Sequence, residues 1–381
     1  MTLHYIEAFD HTELIERWIP ILATIEDLKI VVHVNPWYRD QLTTYCRTLT
    51  GVELRGPVGC LSWSDYLERL QFSSTCVAFI ATLGKRTEWF YSLAGRVRYA
   101  VLLHNLNNCF DRKEYRHPPE RIVDRLKDLR TLIRKRSHRR FLASAGALTY
   151  ATAALASEGK KESFLYAVPH LVLPFAAYQA GCKILNRPAA SSGLRVIIPG
   201  TVTERTRDYQ AVIDALVIVA ESEAPMHVHL AGRFRNPTLE QLFQTRLAHA
   251  FSHPATGPLT IHKYPNGLNK TDFDRLLAES DLILAPLKTP VTVGRYQEQI
   301  GRTKALGTPF DAIFFKKPLL LPAWHPVQDP AVIPYSSAND LGHILINFAK
   351  GNRELPVNCW EHYSHFQLRE YWKAVLASLA E

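Results

Sequence analysis

The chain has 381 residues, a net charge of +9 and a pI near 9.2, with 47% hydrophobic and 21% charged residues. The length exceeds one typical core and suggests two domains, and the composition excludes a disordered chain. The basic balance favours an acidic partner such as a nucleotide, a phosphate or an anionic lipid surface.

The N-terminus is mixed and acidic, without a basic-then-apolar leader pattern. Six cysteines are scattered with no close pair, which suits neither a zinc site nor a dense disulfide framework and points to a reducing compartment. The stretches Phe141–Ala156 and Phe164–Cys182 are apolar, but the first is short and the second is broken by Pro169 and Pro174. A spanning helix needs roughly 20 predominantly apolar residues, so both read as core elements and the chain as cytoplasmic.

The first half alternates strand and helix. Strands are expected at Leu3–Ala8, Lys29–Val34, Val52–Leu54, Thr75–Ala81 and Tyr99–Leu103. Helices are expected at His11–Thr24, from Pro36 to Leu49, at Ser64–Phe72 and at Thr87–Ala94. From Pro118 toward Arg140 the apolar positions follow helical spacing and cations cover the rest. Arg130, Arg134, Lys135, Arg136, Arg139 and Arg140 form the densest part of this patch. It reads either as a solvated face or as a patch for anionic head groups, where each cation near the surface adds about 1 kcal/mol. Nucleic acid is not expected as a partner, because no binding motif accompanies the charge. A strand at Ala147–Ala153, a helix at Ser157–Tyr166 and a strand at Leu171–Pro174 close this half.

The small, polar Asn186–Gly193 is the best linker candidate. The pattern then restarts, with strands at Arg195–Ile198, Met226–Ala231, Leu259–Lys263, Leu282–Ala285, Leu319–Leu321 and Val332–Pro334. Helices are expected at Asp208–Ala220, Thr238–Phe251, Lys270–Glu279, Asn339–Lys350 and Tyr363–Leu379. Two runs of β-α alternation imply two parallel, doubly wound α/β domains. The expected division is 1–187, 193–360 and a terminal helix in 361–381 that packs back on the first domain.

Ligands of such sheets bind at the carboxyl ends of the strands. The residues there include Gly200, Thr201, Arg205, Arg207, Gly232, Tyr264 and Pro265, joined by the stretch Arg302, Thr303, Lys304, Gly307, Asp311. Cations and glycines at such ends suit a diphosphate. In the first half the strand ends carry Phe9-Asp10-His11, Asn35, Thr82-Gly84-Lys85 and His104-Asn105. There is no G-x-G-x-x-G, no P-loop and no G-x-S-x-G. His227 and His229 share one strand face, but without a third nearby ligand no metal site is expected.

Four segments together resemble the nucleotide-sugar-binding half of a GT-B fold glycosyltransferase, nearest retaining family four. They are Val196-Ile197-Ile198-Pro199-Gly200 with Arg207, then Val228-His229-Leu230-Ala231-Gly232, then Leu276–Pro286, then Asp311-Ala312 through Lys317-Pro318. The resemblance implies two Rossmann-like domains facing a cleft, with a nucleotide-sugar as substrate and no tightly bound cofactor or metal. It implies hexosyl or related transfer with retention; the basic stretch lies in the acceptor half, which suits a glycan or lipid-linked acceptor at the inner membrane face, in cell-envelope or exopolysaccharide synthesis. Arg207 and Lys304 would meet the diphosphate, Asp311 the ribose, Tyr264 and Pro265 the base, and His104 the donor sugar or a proton. The sequence departs from the family at Thr303, where a glutamate is usual, at Thr201, where an arginine is usual, and at Phe9-Asp10-His11, where glycines are usual. The alternative reading is a GT-B scaffold that binds without transferring, or a peripheral membrane-binding partner protein.

Overall fold

The computed structural model describes residues 1–9, 11–59, 61–84, 86–117, 136–178, 193–248, 258–264, 266–356 and 359–380. The chain divides into two compact units. Unit 1 comprises Met1–Ala177, Thr292–Ala305 and His365–Glu381, and unit 2 comprises Tyr178–Val291 and Leu306–Ser364. The expected linker lies almost wholly outside the described residues, as does most of the basic helix. Residues 136–143 are helical, and Arg136, Arg139 and Arg140 are exposed.

Unit 1 begins with β1 (Thr2–Glu7), α1 (Thr12–Leu22), β2 (Lys29–Val34), α2 (Pro36–Arg47) and β3 (Val52–Arg55). There follow α3 (Trp63–Arg69), β4 (Cys76–Ile80), β5 (Arg98–Leu103), α4 (Leu106–Phe110), β6 (Ala147–Tyr150), α5 (Ala153–Gly159) and β7 (His170–Val172). The strands form one parallel sheet in the order β3-β2-β1-β4-β5-β6-β7. Helices cover both faces of such a sheet, which is why β1, β2, β4 and β5 read as near-continuous apolar runs.

Unit 2 carries β8 (Leu194–Pro199), α6 (Tyr209–Glu221), β9 (Met226–Ala231), α7 (Pro237–Arg246), β10 (Leu259–Lys263), α8 (Lys270–Glu279) and β11 (Leu282–Leu284). The short strands β12 (Val291–Val293) and β13 (Tyr296–Glu298) then pair with each other. Unit 2 resumes with α9 (Thr308–Phe314), β14 (Leu319–Pro322), β15 (Val332–Tyr335) and α10 (Ala338–Ala349). Its sheet is also parallel, in the order β10-β9-β8-β11-β14-β15. This is the dinucleotide-binding strand order, and it reverses between β8 and β11, as unit 1 reverses between β1 and β4.

Several helices start where their cap residues dictate. Ser62 accepts from the Asp65 amide, Asn269 from the Asp272 amide and Ser337 from the Asp340 amide, each satisfying an amide that the first turn leaves unpaired. The last helix, α11 (His365–Ala380), belongs to unit 1. Its Trp372 packs against Trp18 at 5.2 Å and Phe79 at 4.7 Å between ring centroids. These aromatics are fully buried and supply much of the unit 1 core.

Some elements differ from expectation. Thr87–Leu93 forms a 3-10 helix. The helix expected at Ser157–Tyr166 splits into α5 and a 3-10 turn at Ser163–Leu165, because Glu158 and Glu162 turn inward to Arg112 at 2.9 and 2.6 Å. Helix α4 and the β12-β13 pair were not expected at all. Among the described residues no helix is long and apolar enough to cross a membrane.

Candidate functional site

Each sheet carries a group of polar residues at the carboxyl ends of its strands near the reversal. In unit 2, Gly200 with φ +89° directly follows β8, and Gly232 directly follows β9. A Cβ on Gly232 would lie 2.1 Å from the Gly200 carbonyl oxygen, so two backbones touch there and only glycine fits. A Cβ on Gly200 would lie 2.8 Å from Nη2 of Arg207. The two glycines thus open the strand edge and admit a guanidinium.

Arg207 is 7% exposed. Its Nη2 donates to Oγ1 of Thr308 at 3.3 Å. Its Nη1 is buried with no hydrogen-bond partner, and the guanidinium has no carboxylate partner among the described residues. Tyr209 lies near enough to feel the charge. Burial raises its phenol above the ordinary range, and the charge of Arg207 and its approach to the hydroxyl oppose that rise, though no hydrogen bond of good geometry joins the two. A buried cation with an unused donor is costly unless an anion joins it.

The other expected donor contacts are placed as follows. Thr201 is half-buried beside Gly200, and Arg205 is exposed. Gly307 precedes α9 in ordinary helical backbone with open space around it, so nothing local demands glycine there. Asp311 sits in the first turn of α9, where an acid is favoured by the helix dipole. The Tyr264 hydroxyl and Nδ1 of His229 share a hydrogen bond at 2.8 Å. Pro265 lies outside the described residues, together with Arg130, Arg134 and Lys135.

Arg302, Thr303 and Lys304 belong to unit 1. Arg302 is exposed. Thr303 is buried, and its hydroxyl accepts from the Gln299 amide at 2.8 Å. The neighbouring Glu298 is 0% exposed and accepts from the Asn107 and Asn108 amides at 3.3 and 2.9 Å. Burial raises the Glu298 carboxyl above its usual range, and the bonds from Thr303 and the two amides oppose that rise. Thr303 therefore serves the local fold. Lys304 donates from Nζ to Oδ1 of Asn105 at 2.8 Å. The structure brings Thr303, Lys304 and His104 together at the end of β5, and brings Gly200, Arg207, Gly232 and Thr308 together at the end of β8.

At the unit 1 reversal, Glu7 closes β1 and is 1% exposed. It accepts from the Phe9 amide at 2.8 Å and from the Thr82 hydroxyl at 2.7 Å. Burial raises its carboxyl, with the charge of His11 opposing. His11 and Glu13 are joined at 2.9 Å, and the His11 ring stacks on His104 at 5.1 Å and 10°. His104 donates from Nε2 to the Ala81 carbonyl at 2.9 Å. Burial above all brings its pKa down to about 3, with the charge of His11 adding to the fall. At neutral pH His104 is an uncharged ring suited to packing and hydrogen bonding, not an acid. Glu7 and Thr308 escaped the sequence reading. Glu7 ends an apolar strand like any strand residue, and Thr308 gains meaning only through Arg207, 101 positions away.

The histidine pair of β9 does acquire a third member, His262 of β10. The His229 and His262 rings stack at 4.3 Å and 9°. Stacked rings do not converge on a point, and among the described residues no group of three or more His, Cys, Asp or Glu side chains could hold a metal.

No protein-family model matches the sequence, and no curated protein matches it. Solved structures do match along the whole chain. Anabaena HepE, in complex with UDP and glucose, superposes with a TM-score of 0.56 over 100% of both chains at 12% identity. A UDP-forming α,α-trehalose-phosphate synthase from Burkholderia vietnamiensis gives 0.54 over 100% of this chain and 99% of that one, at 8% identity. AviGT4, a glycosyltransferase involved in avilamycin A biosynthesis, gives 0.54 over 100% and 98%, at 10% identity. The fold is GT-B. In this GT-B chain the Arg207 station lies in the unit whose sequence carries the four resembling segments.

Proposed function

We propose that this protein is a glycosyltransferase that takes its sugar from a nucleotide diphosphate donor bound to unit 2. The observation that carries the reading is the buried Nη1 of Arg207, a donor with no partner at the carboxyl edge of a reversing parallel sheet. A β-phosphate oxygen supplies what it lacks. As the bond to the sugar breaks, negative charge gathers on the diphosphate, and a preorganised cation away from water stabilises that charge most. In this reading Thr308 and the open backbone at Gly200 complete the cradle, and Asp311, in the first turn of α9, is the ribose contact. HepE was solved with UDP and glucose, and that donor class suits the same cradle.

The acceptor is held by unit 1. The +9 charge and the exposed Arg136, Arg139 and Arg140 favour an acceptor presented at an anionic surface, such as a lipid-linked or envelope glycan. Changing Arg134, Lys135, Arg136, Arg139 and Arg140 to Ser is expected to abolish sedimentation with phosphatidylserine-containing liposomes. Retained sedimentation removes the membrane part of the reading.

The donor part is tested by thermal shift with a panel of nucleotide-sugars on the wild type and on Arg207→Met and Asp311→Ala. A donor that raises the melting temperature of the wild type, with the rise lost in Arg207→Met, is expected. No shift with any donor overturns the reading.

A further inference from the structure

A second group of polar residues lies toward the amino-terminal edge of the unit 2 sheet, away from Gly200. Arg195 is the second residue of β8 and His227 the second of β9, and Glu279 and Ser280 lead toward β11. At about 3.3 Å per residue, Arg195 stands about 16 Å along the chain from Gly200. Side chains alternate between the faces of a strand, so His227 and His229 share one face. Arg195 is in register with His227, and His262 of β10 with His229. A cavity of about 270 Å³ opens here, lined by Arg195, His227, His229, His262, Glu279 and Ser280 among others. The fold leaves several donors in it unused. The Arg195 amide donates to Oδ2 of Asp281 at 2.9 Å. Its guanidinium is half-buried and has no hydrogen bond or ion pair among the described residues. His229 engages the Tyr264 hydroxyl through Nδ1 at 2.8 Å, and His262 engages Nδ1 of His227 through Nε2 at 3.4 Å. Nε2 of His229 and Nδ1 of His262 have no hydrogen-bond partner among the described residues. The lining carboxylate, Glu279, is exposed and makes no ion pair with Arg195.

We infer that this cavity binds a small inorganic oxyanion of the sulfate and phosphate class, held by the Arg195 guanidinium and by the ring nitrogens left open on His229 and His262. The inference is independent of the donor reading and of Arg207. A planar guanidinium presents paired donors to two oxygens of such an ion, and the imidazole N–H groups supply donors for the others. Binding carries protons with it. Burial first, then the charges of His262, His227 and Arg195, bring the pKa of His229 from 6.5 down to about 4. Burial, then the charges of His227 and Arg195, lower His262 in the same way. The groups around these two rings are Arg195 of β8, His227 of β9, Tyr264 after β10 and Glu279 of α8. Asp272 and Arg275 of α8 stand beside Tyr264 and pair with each other at 3.0 Å, and Asp281 is turned to the Arg195 amide. Two rings stacked at 4.3 Å repel each other when both are charged. An anion among them reverses the balance, because an opposite charge favours the imidazolium. The affinity of the site for the ion therefore rises as the pH falls.

The test follows the histidine Cε1–H signals of the full chain by NMR from pH 4 to 8, with and without sulfate, an ion that keeps its double charge across that range. His229→Asn and His262→Asn assign the two signals. In the wild type, sulfate is expected to move the titration midpoint of both rings upward by about one pH unit or more. In Arg195→Gln the midpoints are expected to stay in place. Midpoints that sulfate leaves unmoved in the wild type, or moves equally in Arg195→Gln, overturn the inference. Glu279→Gln changes an exposed residue and keeps the test decisive should Arg195→Gln fail to fold. It removes a like charge from the rim, so sulfate affinity at pH 7.5 is expected to rise about 2- to 5-fold. Unchanged or weaker binding overturns the site. Arg207→Met separates this cavity from the donor edge. A sulfate effect on the two rings that persists in Arg207→Met supports the inference, whereas an effect that disappears there overturns it and leaves the donor reading intact.

Discussion

Arg207→Met separates a binding role from a structural one, because the two roles predict opposite signs. Met keeps most of the apolar stem that Arg buries. In the unliganded protein the substitution removes the bond from Nη2 to Thr308 at 3.3 Å, worth about 1 kcal/mol. It also removes a buried donor with no partner, Nη1, whose burial costs about 1–3 kcal/mol. The balance runs from about zero to 2 kcal/mol in favour of the variant. For a unit of this size each kcal/mol moves the melting temperature by about 2–4 °C, so differential scanning fluorimetry should show an unchanged or higher value. Binding moves the other way. Loss of a charge-assisted hydrogen bond to phosphate costs about 1.5–3 kcal/mol, which is roughly 10- to 150-fold in UDP affinity. Isothermal titration with UDP on both proteins supplies the second number. A variant that loses stability yet binds UDP like the wild type refutes the reasoning and makes Arg207 a structural residue.

Gly232→Ala should be destabilising and should weaken UDP binding together, because its Cβ meets three backbone atoms of Gly200 and Thr201 at 2.1–2.9 Å, none of which yields cheaply. Overpacking of this kind costs about 1–3 kcal/mol, read by urea denaturation; an unchanged midpoint contradicts the close approach. Glu298→Ala leaves the buried Asn107 amide without its acceptor and should cost about 1–3 kcal/mol from that donor, the Asn108 amide being open to water in its place, with Glu298→Gln milder. Stability should also fall in mild acid. His4, His229 and His325 have pKa values brought from 6.5 to about 4, chiefly by burial. The unfolded chain therefore binds more protons in this range. Their contribution is whole above pH 6.5 and is lost as the pH falls toward 4, so the melting temperature should be flat above neutrality and drop across that window. A melting temperature that rises on acidification from pH 6.5 to 4 contradicts the burial of these rings.

Much of this architecture was legible because parallel strands buried on both faces must be apolar throughout. Val196–Ile198 and Leu319–Leu321 could be little else, and the caps at Ser62 and Asn269 mark helix starts locally. Other parts were illegible for equally physical reasons. The strands Val291–Val293 and Tyr296–Glu298 are three residues each, too short for an alternation to show. Helix α4 has five residues and no side-chain cap. Thr303 read as a ligand contact because it sits among cations and glycine. Its hydroxyl is instead held by the Gln299 amide, a bond visible only once the turn closes. Arg207 was found from its place after a strand, but that it lacks a partner is a property of three-dimensional packing.

Unit 1 is assembled from three separate stretches of chain, the last of them containing the sixteen-residue helix His365–Ala380. During synthesis its seven-stranded sheet emerges long before the helix that covers Trp18 and Phe79. Unit 2 draws on an uninterrupted run for its first four strands, whereas unit 1 must wait, with an apolar face open, through the translation of nearly everything else. A ribosome that stalls before the final helix leaves a nascent product whose exposed aromatics mark it for chaperones or proteases. Maturation of unit 1 is thereby tied to synthesis of the His365–Ala380 segment.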